Sequence, residues 1–235
     1  MTEKTLSFIT VNLNNLDGLH RTYRSLRKQK EPSVEWIVVD GGSTDGAKEA
    51  LERKELPADK WVSERDRGIY SGMAKGIEMA TGLFVIFLNS GDCLLPNAIF
   101  NILDNIRTSS ASCHLYGFRI NGTLRYPRPL WWRFWSLPTS HQAIVYEKSM
   151  LLQFEFDSSY SRGGDFEQFL RISSSDHSIR SHDLAIVENE PYGSDLVLDQ
   201  VIREYREILN RYMPRAIAVL LTGLKRVYLR WALKK

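Results

Sequence analysis

The sequence predicts an α/β fold in which a mostly parallel central sheet is flanked by helices, and three observations predict it. Short apolar runs alternate with helix-like segments through residues 1–107, the rhythm of strand–helix–strand units. The apolar runs are continuous rather than alternating, as strands covered on both faces require. The residues that follow each run are polar, acidic or glycine, as expected where the carboxyl ends of strands open onto a crevice.

Taken in order, Leu6–Leu13 (LSFITVNL) is the first strand, with Asn12 and Asn14 at its end, and a helix follows near Asp17–Gln29. Glu35–Asp40 (EWIVVD) is the second; it opens onto Gly41-Gly42-Ser43-Thr44-Asp45, and the next helix covers Thr44–Lys54. Lys60–Glu64 is the third, continued by Arg65-Asp66-Arg67-Gly68 and a helix over Ile69–Ala80. Leu83–Asn89 (LFVIFLN) is the fourth and ends in Asn89-Ser90-Gly91-Asp92. Pro96, suited to a first helical turn, opens a helix to the neighbourhood of Arg107. Each polar loop alone is an ordinary turn or helix cap; four of them on one sheet edge point to a shared site. The second half is less regular. Ser112–Ile120 and Gln142–Tyr146 read as strands, Pro127–Pro138 as a loop rich in Pro and Trp, Gly164–Ile172 as a helix start before a Ser-rich turn, and Asp195–Arg211 as a helix.

The bulk numbers suit this picture. With 235 residues, 43% of them hydrophobic, the chain can bury one α/β core and an appendage. A charged fraction of 25% excludes wholesale disorder, and a net charge of +3 is no argument for nucleic acid. Cys93 and Cys113 lack metal-ligand spacing and read as reduced thiols of a cytosolic protein. The first residues, Met1-Thr2-Glu3-Lys4, run straight into a strand, so no signal peptide is expected. No long uncharged apolar stretch occurs, so no conventional membrane span is expected either.

Four segments, FITVNLN, EWIVVDGGSTDG, SERDRGIYSGMAKGI and FLNSGD, together resemble family 2 glycosyltransferases, above all the bacterial branch that builds colanic acid, capsule and O-antigen polysaccharides. The resemblance implies a GT-A fold over residues 1–195, with a nucleotide-binding half at 1–107 and an acceptor-binding half at 108–195, followed by a helical basic amphipathic segment at 196–235. It implies inverting transfer of a sugar from a nucleotide-diphosphate donor to a lipid-linked saccharide acceptor, and the C-terminal charge pattern described below adds the expectation of an enzyme peripheral on the cytoplasmic face of the plasma membrane.

On this resemblance the donor site draws on Thr10, Asn12 and Asn14, on Asp40, Gly42, Ser43 and Asp45, on Asp66, Gly68 and Lys75, and on Asn89, Ser90 and Gly91. Asp40 would accept an N–H of the nucleobase. Asp45 would brace its loop and cap the next helix, or touch the ligand. Asp66 and Gly68 would lie beside base and ribose, and Lys75 would reach a phosphate or lie on a solvated helix face. Asn89-Ser90-Gly91-Asp92 occupies the place of the family's DxD signature, where Mg²⁺ or Mn²⁺ would hold the diphosphate. Asn89 and Gly91 are neutral, leaving Asp92 as the anionic metal ligand. Ser71 and Ala74 depart from the relatives' GIYDAMNKG pattern, so no sugar preference carries over. His141, in SHQA, would contact diphosphate or acceptor, or make a structural hydrogen bond. Asp165 is the expected general base, and Glu167 should point elsewhere.

Trp131, Trp132 and Trp135, with Arg128 and Arg133 among them, would form an acceptor platform, enter a membrane interface, or pack into the core. From Arg211 to Lys235 there are seven Lys or Arg and no acid. In a helix from Pro214, residues Ile217, Leu220, Leu221, Leu224, Tyr228 and Trp231 share one face, with Arg215, Arg226 and Arg230 opposite. That pattern fits an interfacial helix on an anionic membrane, a core-packed helix, or a homodimer interface. Without a recognition fold, no nucleic-acid partner is expected. A nucleotidyltransferase is disfavoured because NLNNLDG after the first strand lacks Arg and Lys. A non-catalytic partner with the same fold is the remaining alternative.

Overall fold

Seven consecutive residues of strand β1, Leu6–Asn12, are buried, so both faces of this strand are covered. The computed structural model describes residues 4–29, 31–191 and 198–232. Helix α1 (Leu16–Arg27) leads to β2 (Val34–Asp40), α2 (Ala47–Glu52) to β3 (Lys60–Ser63), and α3 (Ile69–Met79) to β4 (Phe84–Phe87). The four strands pair in the order β3-β2-β1-β4, all parallel. Their carboxyl ends therefore lie on one edge: Asn12 stands opposite Asp40, and Asp40 opposite Ser63.

Beyond β4 the sheet is mixed. The chain continues through β5 (Cys93–Leu94), α4 (Ala98–Thr108), β6 (Cys113–Ile120) and β7 (Thr123–Arg125), then a 3₁₀ turn at Leu130–Phe134 and another at His141–Ala143. Strand β8 (Ile144–Glu147), α5 (Lys148–Gln153), α6 (Gly164–Ser173), β9 (Ile179–Glu188), α7 (Leu198–Leu209) and α8 (Arg215–Ala232) complete it. The sheet runs on from β4 as β8-β6-β9-β5, with β7 beside β6. Strand β8 is antiparallel to both neighbours, so the residues just before it reach the same edge as the end of β4.

Two apolar layers sandwich the sheet. Phe8, Trp36, Val38, Ile86 and Leu88 pack under α1, α2 and α4, and Ile9, Val11, Ile37, Val39 and Phe87 pack under α3, α5 and α6. Helix α3 lies so close that a Cβ on Gly76 would stand 2.3 Å from Ile9 Cγ2. A third cluster joins Phe166 and Leu170 of α6 to Ile208 and Leu209 of α7 and Ala218 of α8.

The first-half elements match the sequence reading to within a few residues. The second half corrects it: β9, a ten-residue strand, falls where only a turn was expected. Its first half alternates polar and charged residues at half-exposed positions, so no apolar run marks it. Strands β5 and β7 are too short to carry a pattern. The expected start of α7 at Asp195 lies outside the described residues. Helix α8 seats a different face from its apolar stripe: Ala218, Thr222 and Lys225 are buried, while Leu220, Leu224, Val227 and Trp231 are exposed. No helix among the described residues is long and apolar enough to cross a membrane. Both cysteines are free, Cys113 buried and Cys93 partly so.

Candidate active site

The loops at the carboxyl edge of β1, β2 and β3 are tied to one another through Asp40. Its carboxylate is fully buried. It accepts from Asn12 Nδ2 at 2.8 Å, from the Ser43 amide at 3.0 Å, from the Ser43 hydroxyl, and from the Ser63 hydroxyl at 2.6 Å. Burial pushes its pKa up, but these donors outweigh burial and hold it below the ordinary carboxylate range. Four donors fill the four acceptor positions of a carboxylate, so Asp40 braces the edge and has no oxygen open to a nucleobase. That corrects the expectation drawn from the sequence. Thr10 is corrected likewise: it is wholly buried, donates to Leu88 O at 2.7 Å and accepts from Trp36 Nε1 at 2.9 Å, so it reaches no cleft.

The rest of the donor edge is ordered in the same way. Asn14 Oδ1 accepts from the Thr44 amide at 2.9 Å, and the Asn14 amide donates to Ser43 Oγ at 2.7 Å. Asp45 accepts from the Leu16 amide at 2.7 Å and the Ala47 amide at 3.2 Å, joining the loop after β2 to the starts of α1 and α2. Gly42, at φ +83°, lies against the Arg65 backbone. Asp66 Oδ1 accepts from the Gly68 amide at 2.9 Å, where α3 begins. Its Oδ2 would lie 3.0 Å from a Cβ at Gly41, so the half-buried Asp66 carboxylate stands where a residue-41 side chain would be. Lys75 is ion-paired with Glu64.

The turn after β4 is held by α1. Thr22 Oγ1 accepts from the Gly91 amide at 3.0 Å and donates to Asp92 O at 2.8 Å, while Asn15 Nδ2 donates to Ser90 O at 3.1 Å. Asp92 is buried and accepts the Glu190 amide at 2.8 Å. Burial drives its pKa up to about 7, with the Glu190 carboxylate adding to the rise and the Glu190 and Asn89 amides opposing it. Gly91, at φ +105°, would strain any side chain, and a Cβ there would fall 1.9 Å from Glu190 Oε2, which would have to move. Glu190 is also ion-paired with Arg21. Asn89 Oδ1 is buried with no hydrogen-bond partner. Asp92 and Asn89 bring hard oxygens to this turn, and Glu190 reaches it from beyond β9. Among the described residues no group of three His, Cys, Asp or Glu could enclose a metal. The donor set fits an ion of the Mg²⁺ type, which takes one or two carboxylates and leaves other positions to phosphate and water.

Across the cleft, His141 stacks on Phe87 with ring centroids 5.0 Å apart and meets Phe156 edge-on at 6.1 Å. It is buried, and its Nε2 has no hydrogen-bond partner. Burial lowers its pKa against the opposing pull of Asp165, so the ring is neutral near pH 7. Asp165 sits in the first turn of α6, where an acid suits the helix dipole. Its Oδ1 accepts from Tyr70 Oη at 3.0 Å and from the Phe166 amide at 2.8 Å. Tyr70 belongs to α3, so this bond joins the first half of the chain to the second. Glu167 turns away and pairs with Arg171 and Arg211. Tyr70 stood within the GIYSG segment without an assigned role. Glu190 carried no sequence signal, because its partner turn lies 98 residues away.

Trp131, Trp132 and Trp135 pack edgewise in series, with centroids 5.7 and 6.3 Å apart, and Trp135 meets Tyr228 of α8 at 6.3 Å. Trp131 is 68% exposed. Arg226 pairs with Asp199 of α7, and Arg230 is exposed.

Parallel strands feeding a polar edge, with a mixed extension that brings a carboxylate across the cleft, define the GT-A class of nucleotide-sugar transferase folds. The model of glycosyl transferase family 2 matches residues 7–163, and the chain belongs to that family. An uncharacterized glycosyltransferase of Mycobacterium tuberculosis is 37% identical over 116 residues, 48% of this chain and 44% of that protein. The match thus spans less than half the length of that relative. Among solved structures, residues 1–349 of S. aureus TarS in complex with UDP-GlcNAc superpose with a TM-score of 0.69 at 19% identity, covering 94% of this chain and 72% of that one. A mannosyltransferase from Pyrobaculum calidifontis in complex with GDP-Man and Mn²⁺ gives a TM-score of 0.71 at 14% identity, covering 97% and 72%.

Proposed function

We propose that this chain transfers a sugar, with inversion, from a nucleoside-diphosphate donor to the hydroxyl of a lipid-linked saccharide in bacterial surface-polysaccharide assembly. The observation that carries the reading is the Tyr70–Asp165 hydrogen bond, which ties the carboxylate of α6 to α3, with His141, whose Nε2 is unpaired, near enough to feel its charge.

In this mechanism Asp165 takes the proton of the acceptor hydroxyl as that oxygen attacks the anomeric carbon. The bond from that carbon to the diphosphate breaks on the opposite face, and the nucleoside diphosphate leaves. Tyr70 keeps Oδ1 engaged, which turns Oδ2 to the acceptor. His141 Nε2 hydrogen-bonds the sugar or the diphosphate. Asp66 receives the N–H of the base, a role open to it because residue 41 is glycine. A divalent cation, Mg²⁺ or Mn²⁺, neutralises charge on the departing diphosphate when bound, and Asp92, Glu190 and Asn89 are the groups that would hold it.

The exposed strip of α8 continues into the Trp131–Trp135 turn through Tyr228. Aromatic residues beside arginines favour a membrane–water interface. The acceptor's lipid would lie there, on the cytoplasmic leaflet. Melting curves with UDP, GDP, dTDP, CDP and ADP, each with Mn²⁺, Mg²⁺ or EDTA, test the donor site. A shift with one nucleotide identifies the base; no shift with any of them sinks the donor reading in favour of a non-catalytic partner. Flotation on anionic vesicles tests the surface: Leu220→Asp with Trp231→Ala should stay with the soluble fraction, and equal behaviour of variant and parent refutes membrane docking.

A further inference from the structure

Lys225, on α8, is a charged side chain inside the protein. Its Nζ donates to Trp135 O at 2.7 Å and stands 3.5 Å from the centre of the Tyr205 ring and 5.6 Å from that of Phe166. Tyr205 and Phe166 stack on each other at 4.1 Å. Phe166 follows Asp165 in the chain, and its amide is one of the two donors to the Asp165 carboxylate. A single ammonium therefore touches the aromatic turn, helix α7 and the residue next to the proposed base. Burial pulls its pKa down to about 7, and the Asp165 carboxylate is the charge that opposes this. A buried charge of this kind is costly, and a methionine of similar length would avoid the cost. The neighbouring helix contributes a matching anchor. Glu204 of α7, also buried, accepts from the amides of Ser161, Arg162 and Gly163 at 3.3, 2.9 and 2.8 Å, and so fixes the turn from which α6 starts.

We propose that Lys225 is a positioning residue for the transfer reaction: it locks α8 against both the Trp135 turn and the helix carrying Asp165, so that the seating of the C-terminal helix sets the base and the acceptor platform together. This rests on the reading of Asp165 as general base. On this proposal the C-terminal helices support the catalytic centre from outside it, although the family match ends at residue 163, before Asp165 itself.

The test is steady-state kinetics on the full chain, with Lys225→Met, Lys225→Gln and Lys225→Arg beside Asp165→Asn. Lys225→Met should lower kcat about 10- to 100-fold, the scale of a small misplacement of reacting groups, with donor KM and the nucleotide-induced melting shift unchanged. Lys225→Arg should recover most of kcat, because it keeps both the charge and a donor for Trp135 O. Should Lys225→Met fail to fold, Lys225→Gln, which keeps a donor without the charge, carries the same expectation. Unchanged kcat in both uncharged variants, with Asp165→Asn inactive, overturns the role of Lys225 and leaves the base reading intact. An active Asp165→Asn overturns the base reading and this proposal with it. Parallel loss of kcat, donor binding and melting temperature in every variant, arginine included, makes Lys225 a residue of stability alone and also overturns the proposal.

Discussion

On the nucleotide side of the cleft Asp40 receives four hydrogen bonds from its own chain, and on the acceptor side Asp165 receives two, both on Oδ1. Nearby, His141 keeps a buried ring nitrogen with no partner. The first edge is braced by folding, and only Asn12 Oδ1 and Asn89 Oδ1 are left buried without a partner among the named side chains of that edge. Its loops are cross-braced before any ligand arrives, which spares the ordering cost that a mobile binding loop incurs. The second edge is left incomplete, and an unpaired buried polar atom is tolerable there when a substrate will later supply the missing bond. Changes at the braced edge should therefore cost stability first, and changes at the incomplete edge should cost turnover first.

The largest expected effect tests that division on the acceptor side. Asp165→Asn should lower kcat by about 10²–10⁴-fold, the range of a lost general base, while urea midpoint and nucleotide-induced melting shift stay near those of the parent. A collapse of stability instead would mean that both edges are structural. Next comes acid stability. Glu35, at the far end of β2, is buried and accepts from Ser7, from Thr81 and from the Gly82 amide, with Lys60 at 3.1 Å. Burial pushes its pKa up, but these partners outweigh it and bring it down to about 2. Its contribution is therefore full above pH 4.5 and is lost as pH falls from there towards 2, up to about 3 kcal/mol. Urea midpoints measured between about pH 5 and pH 2 should show this slope, flattened in Glu35→Gln. On the braced edge, Asp40→Ala strands Asn12, Ser43 and Ser63 and should cost about 1–3 kcal/mol for the donors left unpaired, with weakened nucleotide binding as a consequence. Intact stability with lost binding would return Asp40 to a direct role at the base. Thr10→Val should have the smallest effect, about 1 kcal/mol for the unsatisfied Trp36 indole N–H, and no change in donor KM.

The parallel half was legible because its chemistry is local. Continuous apolar strands and the polar residues that follow each of them lie next to one another in the chain, so a polar edge could be drawn from spacing, and the family resemblance supplied its role as a donor site. Asp45, Asp66 and Asp92 all fall on that edge. What the sequence hid depends on contacts between distant segments. Nothing around Asp40 in the chain reveals that Asn12 and Ser63 fill its acceptor sites, and Thr10 looks like any strand-end threonine until Trp36 and Leu88 close on it. Strand β9 was missed because half its length faces solvent and carries no apolar period. Lys225 was the least legible of all: in a basic tail, one lysine that turns inward is indistinguishable from those that do not.

The contact between Gly91 and Glu190 ties two positions in sequence space. Glu190 Oε2 occupies the place where a Cβ at 91 would stand, and φ +105° strains any side chain there, so an acid at 91 meets two separate obstacles. The clashing atom is the end of a flexible side chain that can swing aside or shrink, but the backbone conformation at 91 stays. Gly91→Asp should therefore be harmful beside Glu190, and Glu190→Ala should relieve the clash while the backbone strain at φ +105° remains. A lineage crossing between the two ways of supplying that carboxylate would have to reshape the turn as well as change position 190.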